Sequence, residues 1–275
     1  MNELFCKLFN KEADFVLDGA YFLNSDADSD CFDDDDVKQW RNDTFCTNWH
    51  RTKFLKHPVS EKLIEAIVKR KHPVIELACG PGMGLIPSIK QLNPQHSCLA
   101  TDASSLVIKE WKNYLFEYEQ VSNLDFAQFS VLDIPFKDNL VSAYSSFIGL
   151  SSTRSGSKGY DKAISEVHRT LKRGGYLYTV ENEWTNVSEI LDLFKMMNKQ
   201  PWNIFFEQQK TWRERFLDAG FCIEYEDIME YRALNEDDNE LGEAAHKYGK
   251  NVGIKSIAYI LRKEESYESS GNSKT

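Results

Sequence analysis

The sequence predicts a doubly wound α/β fold: a mostly parallel, seven-stranded sheet with helices on both faces and an antiparallel strand at one edge. This prediction rests on two observations. Short apolar segments of strand length alternate with segments in which apolar residues recur at helical spacing. The first of these strands runs directly into a glycine-rich turn at residues 78–84, where a helix begins. Ligands of such sheets bind beyond the carboxyl ends of the strands, so this turn marks the expected site.

Seven apolar runs of strand length define the sheet, and the helices between them have recognisable start and stop residues. A helix over 60–68 begins at a capping serine, Ser60, and a helix over 81–92 ends at Asn93, before a proline. Only a short polar segment separates the last two strands, which indicates an antiparallel pair at the sheet edge. The predicted strands are residues 74–78, 97–101, 125–131, 141–147, 176–180, 221–228 and 254–261.

The chain divides into three predicted parts. Residues 1–57 lack the alternation of strands and helices, and we expect them to form an N-terminal helical cap with an Asp-rich loop at 26–36. Residues 58–263 contain all seven predicted strands and form the expected ligand-binding domain. Residues 264–275 are polar and are expected to form a flexible tail.

The Asp-rich loop has a partial similarity to a calcium-binding loop. Asp26, Asp28 and Asp30 occupy alternate positions, as the first ligands of such a loop do. The position that demands glycine holds Cys31, however, and the position that needs a bidentate Glu holds Val37. We therefore interpret the run as a solvated loop and predict no metal site.

The composition narrows the class of protein. The formal net charge is −10, whereas nucleic-acid binding requires a basic face, so a nucleic-acid partner is disfavoured. No apolar run approaches the roughly 20 residues of a membrane span, and the N-terminus shows no basic leader or cleavage site. The six cysteines include no C-x-x-C pair. We expect a cytoplasmic protein with free thiols that contacts no membrane and is either a monomer or a homodimer.

Three acidic residues lie at the ends of predicted strands, beside the glycines. Glu76 precedes the turn, Asp102 closes the second strand and Asp133 follows the third. An acid at the position of Asp102 can accept the ribose hydroxyls of a nucleoside, and Asp133 is placed to accept from an adenine amino group. A sulfonium cation is favoured between carboxylates, whereas Glu76 would repel a pyrophosphate. Two alternatives stay open: Glu76 can orient backbone N–H groups of the turn, and Asp133 can cap the turn before Pro135.

These motifs resemble those of the class I S-adenosylmethionine-dependent methyltransferase family. The resemblance runs through residues 76–82, Asp102, residues 131–138 and residues 166–175, and it covers about residues 58–182. Two positions depart from the family pattern: Ala78 replaces the usual first glycine, and Ser142 stands near the place of an acid in the fourth strand.

The resemblance implies S-adenosylmethionine as the cofactor. By analogy with the family, Gly80 and Gly82 approach the methionine moiety, Asp102 binds the ribose, and Asp133 with Ile134 binds the adenine. The other residues expected to contact the cofactor are Glu76, Ala78, Ala103 and Ser146.

Methyl transfer depends mainly on aligning the acceptor with the methyl group in a dry pocket. A general base is needed when the acceptor is a hydroxyl or an ammonium group. The candidates for that base are His50, Glu181 and Glu183, and the candidates for a substrate pocket or lid are the aromatic residues Tyr21, Trp40, Trp49 and Trp184.

The nature of the acceptor follows from elimination. Amino-methylating enzymes acting on adenine or glutamine have an Asn-Pro-Pro-Tyr tetrad after the fourth strand, where residues 145–148 read Ser-Ser-Phe-Ile. Together with the acidic charge, this favours an O, N or C centre of a small-molecule metabolite. Two alternatives remain: a non-catalytic member that binds the cofactor or a partner, and an NAD-dependent oxidoreductase, which would have a third glycine in place of Leu85.

Overall fold

Main-chain hydrogen bonds join nine strands into one sheet. The computed structural model describes residues 2–23, 32–50, 57–153 and 159–264. The strands are β1 (Phe15–Leu17), β2 (Ala20–Phe22), β3 (Val74–Leu77), β4 (Cys98–Asp102), β5 (Leu124–Gln128), β6 (Val141–Phe147), β7 (Leu171–Thr185), β8 (Phe221–Ala233) and β9 (Gly253–Lys263).

Helices cover both faces of this sheet and one of its ends. They are α1 (Glu3–Cys6), α2 (Asp34–Gln39), a π-helical turn (Trp40–Thr44), α3 (Phe45–Trp49), α4 (Pro58–Arg70), a 3-10 turn (Gly80–Gly82), α5 (Ile86–Leu92), α6 (Ser105–Tyr118), α7 (Gly159–Thr170), α8 (Val187–Met196), α9 (Asn203–Glu207), α10 (Trp212–Asp218) and α11 (Glu240–Lys247). Among the described residues, no helix is both long enough and apolar enough to cross a membrane.

The strand order confirms the doubly wound fold. Across the sheet the strands run β1-β2-β5-β4-β3-β6-β7-β9-β8. The six from β2 to β7 in this order are parallel, whereas β9 is antiparallel to both β7 and β8, as predicted for the sheet edge. The chain moves outward from β3 through β4 and β5, then returns to add β6 and β7 on the other side of β3. This reversal opens a crevice at the carboxyl ends of the strands beside β3.

The sheet has two more strands than the seven predicted. The N-terminal segment, expected to contain only helices and loops, supplies the hairpin of β1 and β2, and Tyr21 of β2 pairs with Ala127 of β5 in a parallel ladder. Asp18 and Gly19 join the two strands with φ values of 50° and 82°, and positive φ at both central residues is typical of a type I′ hairpin turn. Strands of three residues are too short to show an alternating pattern. The prediction for Asp26, Asp28 and Asp30 and for residues 265–275 falls outside the described residues.

Each face of the sheet has its own apolar core. On one face, Leu63, Ile89 and Trp111 come from helices α4, α5 and α6. On the other, Ile164 and Phe216 come from α7 and α10. A third, smaller cluster is formed by helices α8, α9 and α11 next to the projecting ends of β7 and β9, with the members Ile190, Leu193, Phe194, Phe205, Leu241, Ala244, Ala245 and Val252.

The loops at the amino ends of β4 and β5 are tied together by a buried lysine. Lys90 Nζ donates to the backbone carbonyl oxygens of Pro94, His96, Ser122 and Asn123, at 2.5 to 3.3 Å. His96 is 4% exposed, and burial lowers the pKa of its imidazole, with the positive charge of Lys90 acting in the same direction. The folded protein therefore favours neutral His96.

We expect His96 to make the folded state sensitive to acid. The unfolded chain binds a proton at a histidine pKa of about 6.5, whereas the folded state resists protonation. The free energy of unfolding should therefore fall as the pH drops below that value. Urea unfolding at pH 7.5 and pH 5.5 would measure the loss, which should be smaller in His96→Gln than in the natural protein. Equal losses in the two proteins would contradict this role of His96.

Candidate functional site

A cleft of about 670 Å³ opens at the carboxyl ends of β3 to β6, where the strand order reverses. This volume is in the range of small-molecule and cofactor sites. The residues that line it come from four loops and from the N-terminal segment: Phe32, Asn48, Ala78, Cys79, Gly80, Pro81, Gly82, Gly84, Asp102, Ala103, Phe129, Ser130, Val131, Leu132, Phe147, Ile148, Gly149, Ser152 and Thr153.

The turn after β3 is fixed to β4 and α6 by hydrogen bonds from its own backbone. Gly80 N donates to Asp102 Oδ2 at 2.8 Å, and Trp111 Nε1 donates to the carbonyl oxygen of Gly80 at the same distance. Cys79 N donates to the carbonyl oxygen of Thr101. Ala78 stands where the methyltransferase family that the sequence resembles usually has a glycine. Its φ is 47°, a conformation that costs a non-glycine residue about 1–2 kcal/mol. The hydrogen bonds around the turn hold it in this conformation.

Glu76 lies beneath the turn and does not line the cleft. Its side chain is fully buried, and Oε2 accepts a hydrogen bond from Leu85 N at 3.2 Å and another from Ser145 Oγ at 2.5 Å. Gly84 passes directly over the carboxylate: a Cβ added there would be 1.9 Å from Glu76 Oε1. This placement favours the alternative in which Glu76 orients the backbone of the turn.

On the β5 side of the cleft, the strand ends earlier than the sequence predicts. The strand ends at Gln128, three residues before the predicted end, so the segment leaving the sheet into the cleft is Phe129–Leu132. Asp133 is exposed, and Ile134 is buried in the core with its N–H donating to Glu166 Oε2 at 3.0 Å. Neither residue lines the cleft, because the chain has already turned back toward α7 at this point.

Ser146 also faces away from the cleft, although it was predicted to contact the cofactor. Its hydroxyl donates to Glu181 Oε1 at 3.2 Å inside the protein. The next residues, Phe147 and Ile148, line the cleft instead. Ile148 has a φ of 61°, which is rare for a β-branched residue and costs of order 1–3 kcal/mol. Strain of this kind is concentrated at functional sites.

The N-terminal segment completes the cleft with residues that the sequence analysis did not select. Asn48 lines it and donates from Nδ2 to the carbonyl oxygen of Pro81 at 2.8 Å. Phe32 lines it as well and packs edge-on against Trp40, with ring centroids 4.9 Å apart. Neither residue belongs to a local motif, so only the tertiary contact identifies them.

The four aromatic residues proposed for a substrate pocket or lid do not line the cleft. Trp40 and Trp49 are buried in the core behind it. Tyr21 lies in β2, with its ring stacked on that of Phe9. Trp184 packs edge-on against Phe205, in the small cluster beyond β7.

The three proposed general bases also lie outside the cleft. His50 Nε2 is 2.9 Å from Glu119 Oε1, and both residues line a separate pocket of about 180 Å³. Glu183 is 4% exposed, accepts a hydrogen bond from Trp212 N and pairs with Lys255 Nζ at 2.7 Å. Glu181 is fully buried. None of the three side chains lines the cleft.

The described lining of the cleft carries little charge. Asp102 is its only acidic or basic side chain among the described residues, and its carboxylate also accepts a hydrogen bond from Ser104 N at 2.9 Å. Burial raises the pKa of the Cys79 thiol well above its ordinary value, so the thiol stays neutral. The sequence-predicted residues that the fold brings together here are Ala78, Gly80, Gly82, Asp102 and Ala103.

We expect Gly84→Ala to destabilise the protein by about 2–4 kcal/mol, because it combines a positive φ with a collision against Glu76. Gly80→Ala is the matched control. Gly80 also has a positive φ, of 52°, but an added Cβ would meet nothing within 4 Å, so we expect a loss of about 1–2 kcal/mol. Urea unfolding of both variants measures the difference, and equal losses would contradict the close approach of Gly84 to Glu76.

Part of the chain is similar to known proteins. Residues 74–175 match the family model described as a methyltransferase domain. The ubiquinone/menaquinone biosynthesis C-methyltransferase of Pseudoalteromonas translucida is 30% identical over 115 residues, which cover 42% of this chain and 44% of that protein. The chain therefore matches less than half the length of this curated relative.

Two solved structures have a similar fold. The YcgJ protein of Bacillus subtilis has a TM-score of 0.51 and 14% identity, covering 74% of this chain and 99% of that one. An arsenic(III) S-adenosylmethionine methyltransferase from Chlamydomonas reinhardtii has a TM-score of 0.50 and 16% identity, covering 71% and 65%. At these identities the likeness shows the fold alone. The match of residues 74–175 spans the turn, the strands on either side of the strand-order reversal and the cleft between them. The part of the chain that forms the turn and the cleft thus matches a methyltransferase domain, and S-adenosylmethionine is the cofactor that this match indicates.

Proposed function

We propose that this protein transfers the methyl group of S-adenosylmethionine to an O, N or C centre of a small-molecule acceptor. The observation that carries the proposal is the fixed turn after β3, whose Gly80 amide is bonded to Asp102 at the edge of the cleft. The bound cofactor would supply an activated methyl group on a sulfonium, so the protein's task is to hold and align the two reactants.

The residues of the cleft suit the three parts of the cofactor. We assign the ribose to Asp102, because a carboxylate has several lone pairs and can accept hydroxyl donors in addition to backbone amides. We assign the adenine to Phe129–Leu132, in place of Asp133 and Ile134, since this segment leaves the neighbouring strand into the cleft. The methionine part would then lie along the turn at residues 78–84.

A small acceptor fits the enclosure of the cleft. Phe32 and Asn48 close one side of it with residues of the N-terminal segment, which reduces the access of a large polymer. The net charge of −10 also opposes binding to a nucleic acid. We further propose that the residues nearest the acceptor are those after β6, since β6 lies on the far side of β3 from the segment assigned to adenine.

The arrangement at the turn supports this proposal over an NAD-dependent oxidoreductase. Dinucleotide-binding sites offer backbone amides and a helix N-terminus to a pyrophosphate. In this chain the Leu85 amide, at the start of α5, donates to the buried carboxylate of Glu76 instead. A second negative group at this place would meet repulsion at close range.

Calorimetric titration with S-adenosylmethionine, S-adenosylhomocysteine and NAD tests the cofactor assignment. We expect micromolar dissociation constants for the first two ligands and no binding of NAD. Gly82→Arg should abolish binding, because the new side chain would enter the cleft. The control Ser188→Arg adds the same charge at an exposed residue of a different pocket and should bind normally. Binding of NAD alone, or of no ligand, would overturn the proposal.

Formation of S-adenosylhomocysteine separates an enzyme from a non-catalytic member of the family. Purified protein with S-adenosylmethionine should form it in the presence of a low-molecular-mass metabolite extract. The macromolecular fraction of the same extract is assayed in parallel. Product formed only with that fraction would contradict a small-molecule acceptor. Cofactor binding without product from either fraction would favour the non-catalytic alternative.

Asn48→Ala should weaken the binding of S-adenosylhomocysteine by about twofold to tenfold, the loss expected for one hydrogen bond that orders the turn. The neighbouring Thr47→Ala removes an exposed side chain that bonds to Asp43, within the N-terminal segment, and should leave the dissociation constant unchanged. Calorimetry measures both. Unchanged binding in Asn48→Ala would show that the N-terminal segment does not help to hold the turn.

A further inference from the structure

A fully buried carboxylate, that of Glu181, lies directly behind the wall of the cleft. Three neutral groups donate to it: Ser146 Oγ at 3.2 Å, Thr179 Oγ1 at 2.5 Å and Ser151 N at 2.8 Å. Burial raises the pKa of this carboxyl group, and these hydrogen bonds oppose the rise. Burying an ionisable group costs free energy unless the group is hydrogen-bonded. The hydrogen-bond partners of Glu181 therefore indicate its structural role.

The contact with Ser151 fixes the segment that follows β6. Ser151 is the only residue of residues 148–153 whose amide donates to Glu181, and Ser151 Oγ donates to the carbonyl oxygen of Ile148. Tyr160 donates to the carbonyl oxygen of Ser151. Within the same segment, Ile148, Gly149, Ser152 and Thr153 line the cleft. The position of the wall, including the strained Ile148, therefore depends on how Ser151 is held.

Glu183 provides a natural comparison two residues further along the same strand. It is also buried, and it also accepts a hydrogen bond from a backbone amide, that of Trp212. Its contacts lead to α10 and to Lys255, outside the cleft. Both glutamates thus accept a hydrogen bond from a backbone amide, but of these two bonds only that of Glu181 leads to the wall of the cleft.

We infer that Glu181 is a positioning residue that holds the segment at residues 148–153 in place as the acceptor-side wall of the cleft, through its hydrogen bond with the Ser151 amide. The assignment of this wall to the acceptor side rests on the proposed function, whereas the hold on the segment does not. Glu181 touches no substrate in this role, which differs from that of a general base.

The chemistry of the three donors decides which substitutions are tolerated. A backbone amide can only donate, so residue 181 must present an acceptor to Ser151. Serine and threonine hydroxyls can donate or accept. Glu181→Gln can therefore accept from Ser151 N with its oxygen while its amide group donates to Ser146 or Thr179. Glu181→Met fills a similar volume but leaves the Ser151 amide without an acceptor.

Hydrogen–deuterium exchange of the peptide at residues 147–153 tests the inference in the unliganded protein. We expect exchange in Glu181→Met to be at least tenfold faster than in the natural protein, and exchange in Glu181→Gln to stay within about threefold. Glu183→Met, the matched control, should leave this peptide unchanged. Circular dichroism checks the folding of each variant, and Glu181→Ala replaces Glu181→Met if the latter does not fold.

Binding of the two cofactor forms adds a functional readout. S-adenosylmethionine has a methyl group on a positively charged sulfonium, and S-adenosylhomocysteine has a neutral thioether instead. The ratio of their dissociation constants therefore reports on the part of the wall beside the methyl group. We expect this ratio to change at least threefold in Glu181→Met and to be unchanged in Glu181→Gln and Glu183→Met.

The outcomes separate the two proposals. Unchanged exchange in Glu181→Met, equal acceleration in Glu183→Met, or failure of Glu181→Gln to restore protection would overturn the positioning role. A constant ratio with altered exchange would place the wall away from the methyl group and overturn the acceptor-side assignment. Absence of cofactor binding in the natural protein would overturn the proposed function, and the exchange experiment would still test the hold on Ser151.

Discussion

The cleft depends on one buried carboxylate, that of Glu76. It accepts from the Leu85 amide after the turn and from the Ser145 hydroxyl of β6, so it joins the turn to the strand on the other side of the strand-order reversal. The path of the turn over this carboxylate leaves room only for a glycine at position 84. The contacts of the turn with Asp102, Trp111 and Asn48 all require that path. An internal hydrogen-bonded acid thus sets the shape of the surface that lines the cleft.

Acids at similar places in the sequence have different roles because their surroundings differ. Asp102, Glu181 and Glu183 all lie near the carboxyl ends of parallel strands. Asp102 lines the cleft, Glu181 supports the wall behind it, and Glu183 joins a helix to the sheet edge. The position along a strand identifies such residues as candidates for a site. Only the packing around each carboxylate distinguishes a binding residue from a supporting one.

Local signals were enough to predict where the seven main strands lie along the chain and which turn adjoins the cleft. Gly80, Gly82, Asp102 and Ala103 adjoin strand ends with strong apolar patterns, so their shared location could be predicted. Asp133 and Ile134 lie outside the cleft because β5 ends at Gln128, and an apolar run does not mark the residue at which pairing stops. Phe32 and Asn48 reach the cleft through packing between distant segments, which leaves no pattern in the local sequence.

The pairing of β2 with β5 also constrains the order in which the protein can fold during its synthesis. Tyr21 pairs with Ala127, more than one hundred residues later in the chain, and contacts of such long range form slowly. The hairpin of β1 and β2 must therefore wait, without its partner strand, until β5 has left the ribosome. In that interval its apolar residues, such as Phe22, lack their final cover. Exposed strands of this kind promote aggregation, so the early chain depends on the prompt arrival of β5.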